Sequence, residues 1–235
     1  TLFALIFLIF ARDNPYICGM KPDGNLKKVP AIRNRQPSTG DDHTLQEARR
    51  TLTFWAYTLT LTLFSLFTTA VTFHVVSIFG QAGMSRDIAV SVFLPAAIIS
   101  LIVNFSASWA SDRLPLKIFL VFMILSLLAG SFAVALLNDG AFFVLLIIGY
   151  GIGGGLMNLL NSLSWPRFFG IGHLGAVSGF AMGLLVAGSA AGPYIFSLSL
   201  RYTGGYAAAS WFCFALGGAV LIVALLSRPP ALRDS

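Results

Sequence analysis

From residue 53 onward the chain alternates long apolar runs with short polar breaks. The runs fall at roughly 53–79, 87–110, 117–137, 141–163, 174–200 and 208–227. Each is near the about 20 residues that a helix needs to cross a roughly 30 Å hydrocarbon core. The breaks read GQAGMSRD, ASDRLPLK, NDG, SWPRFFGIGH and RYTGGY. Six apolar helices joined by such turns leave no polar face for water, so the pattern predicts six membrane spans over 53–227. An even number of crossings puts both ends of the series on one side.

Upstream, TLFALIFLIF is an apolar run that rises only about 15 Å as a helix. Nothing charged precedes it and Arg12 follows it, unlike a signal peptide. Residues 1–10 therefore read as the end of a truncated span, and the chain as a fragment whose upstream part is missing. Residues 11–52, rich in Pro, Gly, Asn and charge, read as a connecting loop. Near its end Thr44 and Glu47 have the spacing of a capping box, in which hydroxyl and carboxylate satisfy the free amides of a starting helix. Residues 228–235 form a polar tail.

Composition agrees with lipid as the main solvent. The chain is 57% hydrophobic and 10% charged, with a mean hydropathy of +0.82, against about 25% charged residues in soluble domains. A net charge of +6 could suggest nucleic acid, but the basic residues sit in the gaps between apolar runs instead of clustering on a soluble face. They report topology instead. Arg12, Lys21, Lys27, Lys28, Arg33, Arg35, Arg49, Arg50, Arg113, Lys117, Arg167, Arg228 and Arg233 fall on one side of the alternation, and only Arg86 and Arg201 on the other. Basic residues near span ends stay in the cytoplasm, so the long loop and the C-terminus are expected there, in a multi-pass protein of the plasma membrane, or inner membrane of a bacterium. Cys18 and Cys213 are too few and too differently placed for a disulfide framework or a metal site, and no cofactor is implied.

No Asp, Glu, Lys or Arg lies well inside a span, which leaves this region without an obvious proton carrier. His74, near the outer end of the first span, is either a solute ligand or a neutral imidazole bonded near the interface. Thr58, Thr62, Ser65, Thr69 and Thr72 share one face of the same helix, with His74 roughly opposite; Ser65 and Thr69 are candidates to line a cavity, unless the hydroxyls serve helix contacts. In the fourth span Gly149, Gly151 and Gly154 mimic a dinucleotide fingerprint, but no strand or water-exposed helix start accompanies them. Gly151, Gly154, Gly155, Asn158, Asn161 and Ser162 instead share a face that admits close backbones, with Asn158 and Asn161 as pocket or gate candidates. Asn104, with Ser100, is a weaker one. Gly175, Gly179 and Gly183, continued by Ala187 and Ala191, repeat every four residues as a packing seam, and Pro193 is expected to bend or break the fifth span as a hinge.

SWASDRLPLK resembles the G-x-x-x-D-R-x-G-R-R loop of major facilitator transporters, with Asp112 and Arg113 as its acid–base pair, Ser108 and Pro115 in place of its glycines, and Lys117 from its basic tail. RDNPYICGMKPDG, FHVVSIFGQAGMS and the pair FFGIGHLGAVSG and GPYIFSLSLRYTGGY are similar to the carboxylate branch of that family, which contains monocarboxylate and oxalate/formate carriers. Relatives usually carry basic residues where Ile171 and Gly172 stand and an acidic one where Arg201 stands. The resemblance implies an all-α fold, the six-helix C-terminal bundle of a twelve-helix transporter, packed against a missing N-terminal six-helix half. It also implies a secondary transporter that moves a small organic solute, a carboxylate by preference, by alternating access, with Asp112 and Arg113 latching one state. A sensor or accessory subunit of the same architecture is the alternative. A membrane enzyme would need a catalytic cluster, and His74 stands alone.

Overall fold

Short side chains fix the first three helix starts. In the computed structural model the Glu47 amide donates to Thr44 Oγ1 at 3.3 Å, and the Thr44 amide donates to the Glu47 carboxylate at 2.8 Å. This reciprocal pair is the one the spacing predicts, and it opens the short helix α1, Leu45–Ala48. The structure describes residues 42–137 and 140–227, all within the unit Pro37–Ser235. The truncated span expected over 1–10, most of the loop over 11–52 and the tail over 228–235 lie outside the described residues.

Thr51 caps α2, Leu52–Gln81, by accepting from the Phe54 amide at 3.2 Å. The second span is two helices, α3, Arg86–Ser91, capped by Ser85, and α4, Phe93–Ala110. Pro95 explains the break at Val92: it has no N–H for the Ser91 carbonyl, and its ring crowds that carbonyl. Then follow α5, Leu116–Ala135, α6, Gly140–Phe169, α7, Leu174–Thr203, and α8, Ala207–Leu226. α6 runs through Pro166, past the end expected near 163, and stops where Gly170 takes φ +74°. Among the described residues six spans, with α3 and α4 counted as one, are long and apolar enough to cross a membrane. The chain is a multi-pass, all-helical membrane protein over its described residues.

The main partners are mostly not sequence neighbours: α2 packs on α7, α4 on α6, and α5 on both α6 and α8. In lipid no hydrophobic force drives helices together, so close backbone approach and interdigitated rings must do it. Phe54, Phe64, Phe67, Trp165 and Phe196 fill the bundle core. The Phe64 ring lies across Gly153, where any Cβ would collide with it.

On α7 the close approach is made by Gly188 and Gly192, against Thr62 and the Leu66 carbonyl of α2. The expected seam of Gly175, Gly179 and Gly183 meets nothing within 4 Å among the described residues. Both sets repeat every four residues, but the packed pair is one position out of phase, about 100° around the helix. Spacing alone does not choose between them. Pro193 likewise does not break α7, which is helical from Leu174 to Thr203. The contacts of Gly188, Ser189 and Gly192 with α2 before the proline, and of Ser197 with His74 after it, hold both sides in place.

Burial is uneven. About half of α2 and α5 is buried, 50% and 56%, but only 17% of the α3–α4 span and 17% of α7. These two spans present broad faces to their surroundings.

Candidate solute-facing site

The glycine face of α6 divides into a packed part and an open part. Added Cβ atoms at Gly151 and Gly155 would lie 2.7 Å from the Ile99 side chain and 2.5 Å from the Ser100 carbonyl, so these glycines let α4 approach. Gly154 sits beside the Ser100 hydroxyl, 3.2 Å from where its Cβ would be. Asn104 Nδ2 donates to the Gly155 carbonyl at 3.0 Å, a polar tie across the same contact.

Beyond that contact the face opens. Asn158 and Ser162 are exposed and Asn161 is half-buried. Ser162 Oγ donates back to the Asn158 backbone carbonyl at 2.8 Å, one turn earlier, and the side-chain amides of Asn158 and Asn161 make no hydrogen bond among the described residues. Asn158 lies about 16 Å from the Phe169 end of a 30-residue helix, well inside the apolar span. An amide without a partner at that depth is costly in hydrocarbon and cheap beside water or a polar solute.

The hydroxyl stripe of α2 turns inward. Thr58 and Ser65 are buried, and Thr69 Oγ1 lies 3.0 Å from Ser189 Oγ on α7. Thr72 meets the Tyr150 hydroxyl of α6 at 2.6 Å. Thr69 and Thr72 thus join helices, whereas the buried Thr58 and Thr62 hydroxyls have no hydrogen-bond partner among the described residues.

His74 is held by three helices. Its Nε2 lies 3.1 Å from the Pro193 carbonyl and 3.4 Å from Ser197 Oγ on α7. Its Nδ1 lies 3.3 Å from the Tyr206 hydroxyl, whose oxygen is 2.8 Å from Ser77 Oγ. A carbonyl only accepts, so Nε2 carries the proton in this arrangement. The apparent conflict between His74 and the threonine stripe disappears, because neither depends on the other's cavity: both meet α7 at different levels.

At the basic end, Asp112 pairs with Arg167 of α6 at 3.2 Å, and the same guanidinium donates to the Ser111 carbonyl at 2.7 Å. Arg113 instead stacks on Trp109, 4.2 Å from the ring centroid. Asp112 is 82% exposed, so the pair contributes at most about 1 kcal/mol and can part readily.

Sequence reasoning missed Tyr150, Tyr206 and the role of Arg167, each of which bonds across more than fifty residues of chain. No periodic signal marks such pairs. Among the described residues no cluster of His, Cys, Asp or Glu could hold a metal ion. The family model described as Major Facilitator Superfamily matches residues 1–193. No curated protein matches the chain.

Proposed function

Because the chain belongs to the Major Facilitator Superfamily, and is thus a membrane transporter, we propose that it moves a small organic solute past the open face of α6 by alternating access. The observation that carries this reading is the pair of unbonded amides, Asn158 and Asn161, at membrane depth on a helix that elsewhere packs through glycines. Asn104, tied to Gly155, positions α4 along the same opening. His74 and Thr69 tie α2 to α7, with Ser65 buried on the same helix, and shape the wall behind it.

On this reading the six spans are the C-terminal half of the carrier, and the thinly buried faces of α3–α4 and α7 meet an N-terminal six-helix half. The fold sits in the plasma membrane with its basic end in the cytoplasm. There, Asp112 and Arg167 form a contact that breaks and re-forms as the halves rock, with Arg113 stacked on Trp109 beside it. A carboxylate is the solute we favour, on the similarity of the stretches around His74 and Gly170 to carboxylate carriers. The amides can donate two hydrogen bonds each to such a solute without carrying charge.

Uptake of labelled organic acids by vesicles containing the protein tests this. Asn158→Leu and Asn161→Leu should insert normally and lower uptake by at least about fivefold, the effect of losing one net hydrogen bond. Normal uptake by both variants refutes the assignment.

A further inference from the structure

A cavity of about 310 Å³ lies at the basic end, lined by Thr53 and Tyr57 of α2, Leu114 to Lys117 at the start of α5, Arg167 and Phe168 of α6, and Ser227 after α8. Its size falls at the lower edge of ordinary ligand pockets, about 300–1,000 Å³. It is separate from the open face around Asn158.

Four features there favour an anion. The N-terminus of α5, a 20-residue helix, has no side-chain cap, and its first residues line the cavity. The positive end of the helix dipole therefore faces the space. Lys117 donates to the carbonyls of Leu225 and Ser227 at 2.7 and 2.8 Å, and has no carboxylate partner among the described residues. No anionic side chain among the described residues neutralises it, and it has a third N–H to give. Arg167 adds a second cation, only partly neutralised by the exposed Asp112. Finally, Tyr57 is 2% exposed, lines the cavity, and its hydroxyl has no hydrogen-bond partner. A buried hydroxyl of that kind is costly unless something polar meets it.

The surroundings identify the carrier of the anion. Phe168, Leu114 and Leu116 supply apolar wall, and Leu114, Ile118, Leu225 and Leu226 are exposed large apolar side chains beside it. A free inorganic anion gains nothing from these groups, whereas acyl chains do.

We propose that this cavity holds the phosphate headgroup of an anionic phospholipid of the leaflet at the basic end. The phosphate sits between the α5 N-terminus, Lys117 and Arg167, accepts from the Tyr57 hydroxyl, and leaves its acyl chains on the exposed leucines. Basic recesses between spanning helices on the cytoplasmic side are suited to such headgroups. The bound lipid would fasten α2, α5, α6 and α8 at one end, next to the Asp112 loop.

Native mass spectrometry of the detergent-purified protein tests the proposal, with phosphatidylglycerol, phosphatidylcholine and inorganic phosphate as separate probes. Phosphatidylglycerol should be retained at least about fivefold more than phosphatidylcholine, and Lys117→Gln should lower its retention by about fivefold. Tyr57→Phe, which keeps the ring on Phe168, should also lower it and supplies the reading should Lys117→Gln not insert. Arg86→Gln, at the opposite end, should change nothing. Equal retention of the two lipids, or full retention by both Lys117→Gln and Tyr57→Phe, overturns the proposal. So does protection against thermal unfolding by phosphate alone with no phosphatidylglycerol retained, which would mark a site for a soluble anion.

Discussion

Replacing Gly188 with Ala tests the α2–α7 seam in atomic terms. A Cβ there would lie 2.6 Å from Thr62 Cγ2 and 2.8 Å from the Thr62 carbonyl oxygen, where ordinary contact begins near 3.4 Å. The carbonyl is backbone and cannot swing away, so the two helices must part by roughly 0.6 Å over this contact, the difference between those distances. Such overpacking costs about 1–3 kcal/mol, offset by up to about 1 kcal/mol because Ala is the better helix former. Adding Gly192→Ala, four residues on and pressed against the Leu66 carbonyl, repeats the cost; with both clashes against backbone, at about 2–3 kcal/mol each, and an offset of about 1 kcal/mol each, the double variant should lose about 2–4 kcal/mol net. Gly179→Ala on the same helix meets nothing within 4 Å, and should be neutral or gain up to about 1 kcal/mol. Reversible unfolding of the chain in mixed micelles, followed by helical circular dichroism, reads all three. Equal losses at Gly179 and Gly188, or a double variant as stable as the parent, would refute the reasoning.

Other consequences can be checked separately. His74→Phe keeps the ring but loses the bonds to Pro193 and Tyr206, so it should destabilise the micellar fold by about 1–3 kcal/mol, and an unchanged midpoint would count against the three-helix link. Asp112→Asn frees Arg167, and should alter the reactivity of engineered cysteines at the opposite end during turnover; unaltered reactivity reduces the pair to a surface contact. Cysteines placed at the exposed Leu114 and at Gly205 should react with an impermeant maleimide from opposite sides of the membrane, and labelling of both from outside intact cells would overturn the orientation.

The spans were legible because lipid imposes one unmistakable requirement, about 20 apolar residues per crossing, and because lysine and arginine mark one side. The Thr44–Glu47 cap was legible because both partners lie within one turn. What could not be read is phase between helices. Gly175, Gly179 and Gly183 carry the same repeat as the pair that does pack, and only the position of α2 selects Gly188 and Gly192. Val92 could have been anticipated from Pro95, whereas Pro193 behaves oppositely, since α2 braces it. For the candidate site, the amides on α6 were visible as polar letters in an apolar run. Their openness, the inward turn of the threonine stripe and the Tyr206 contact to His74 depend on partners remote in sequence.

The claim on which the account rests is that the Asn158 face of α6 looks onto water and solute instead of lipid. Asn158→Cys, in an otherwise cysteine-free protein in its membrane, reads this directly through its rate of reaction with a charged, water-soluble thiosulfonate, beside Phe122→Cys on the exposed face of α5 as the lipid-facing control. The account predicts rapid modification at 158, slowed by a transported solute, and little at 122. A cysteine at 158 as inert as the one at 122 would contradict it.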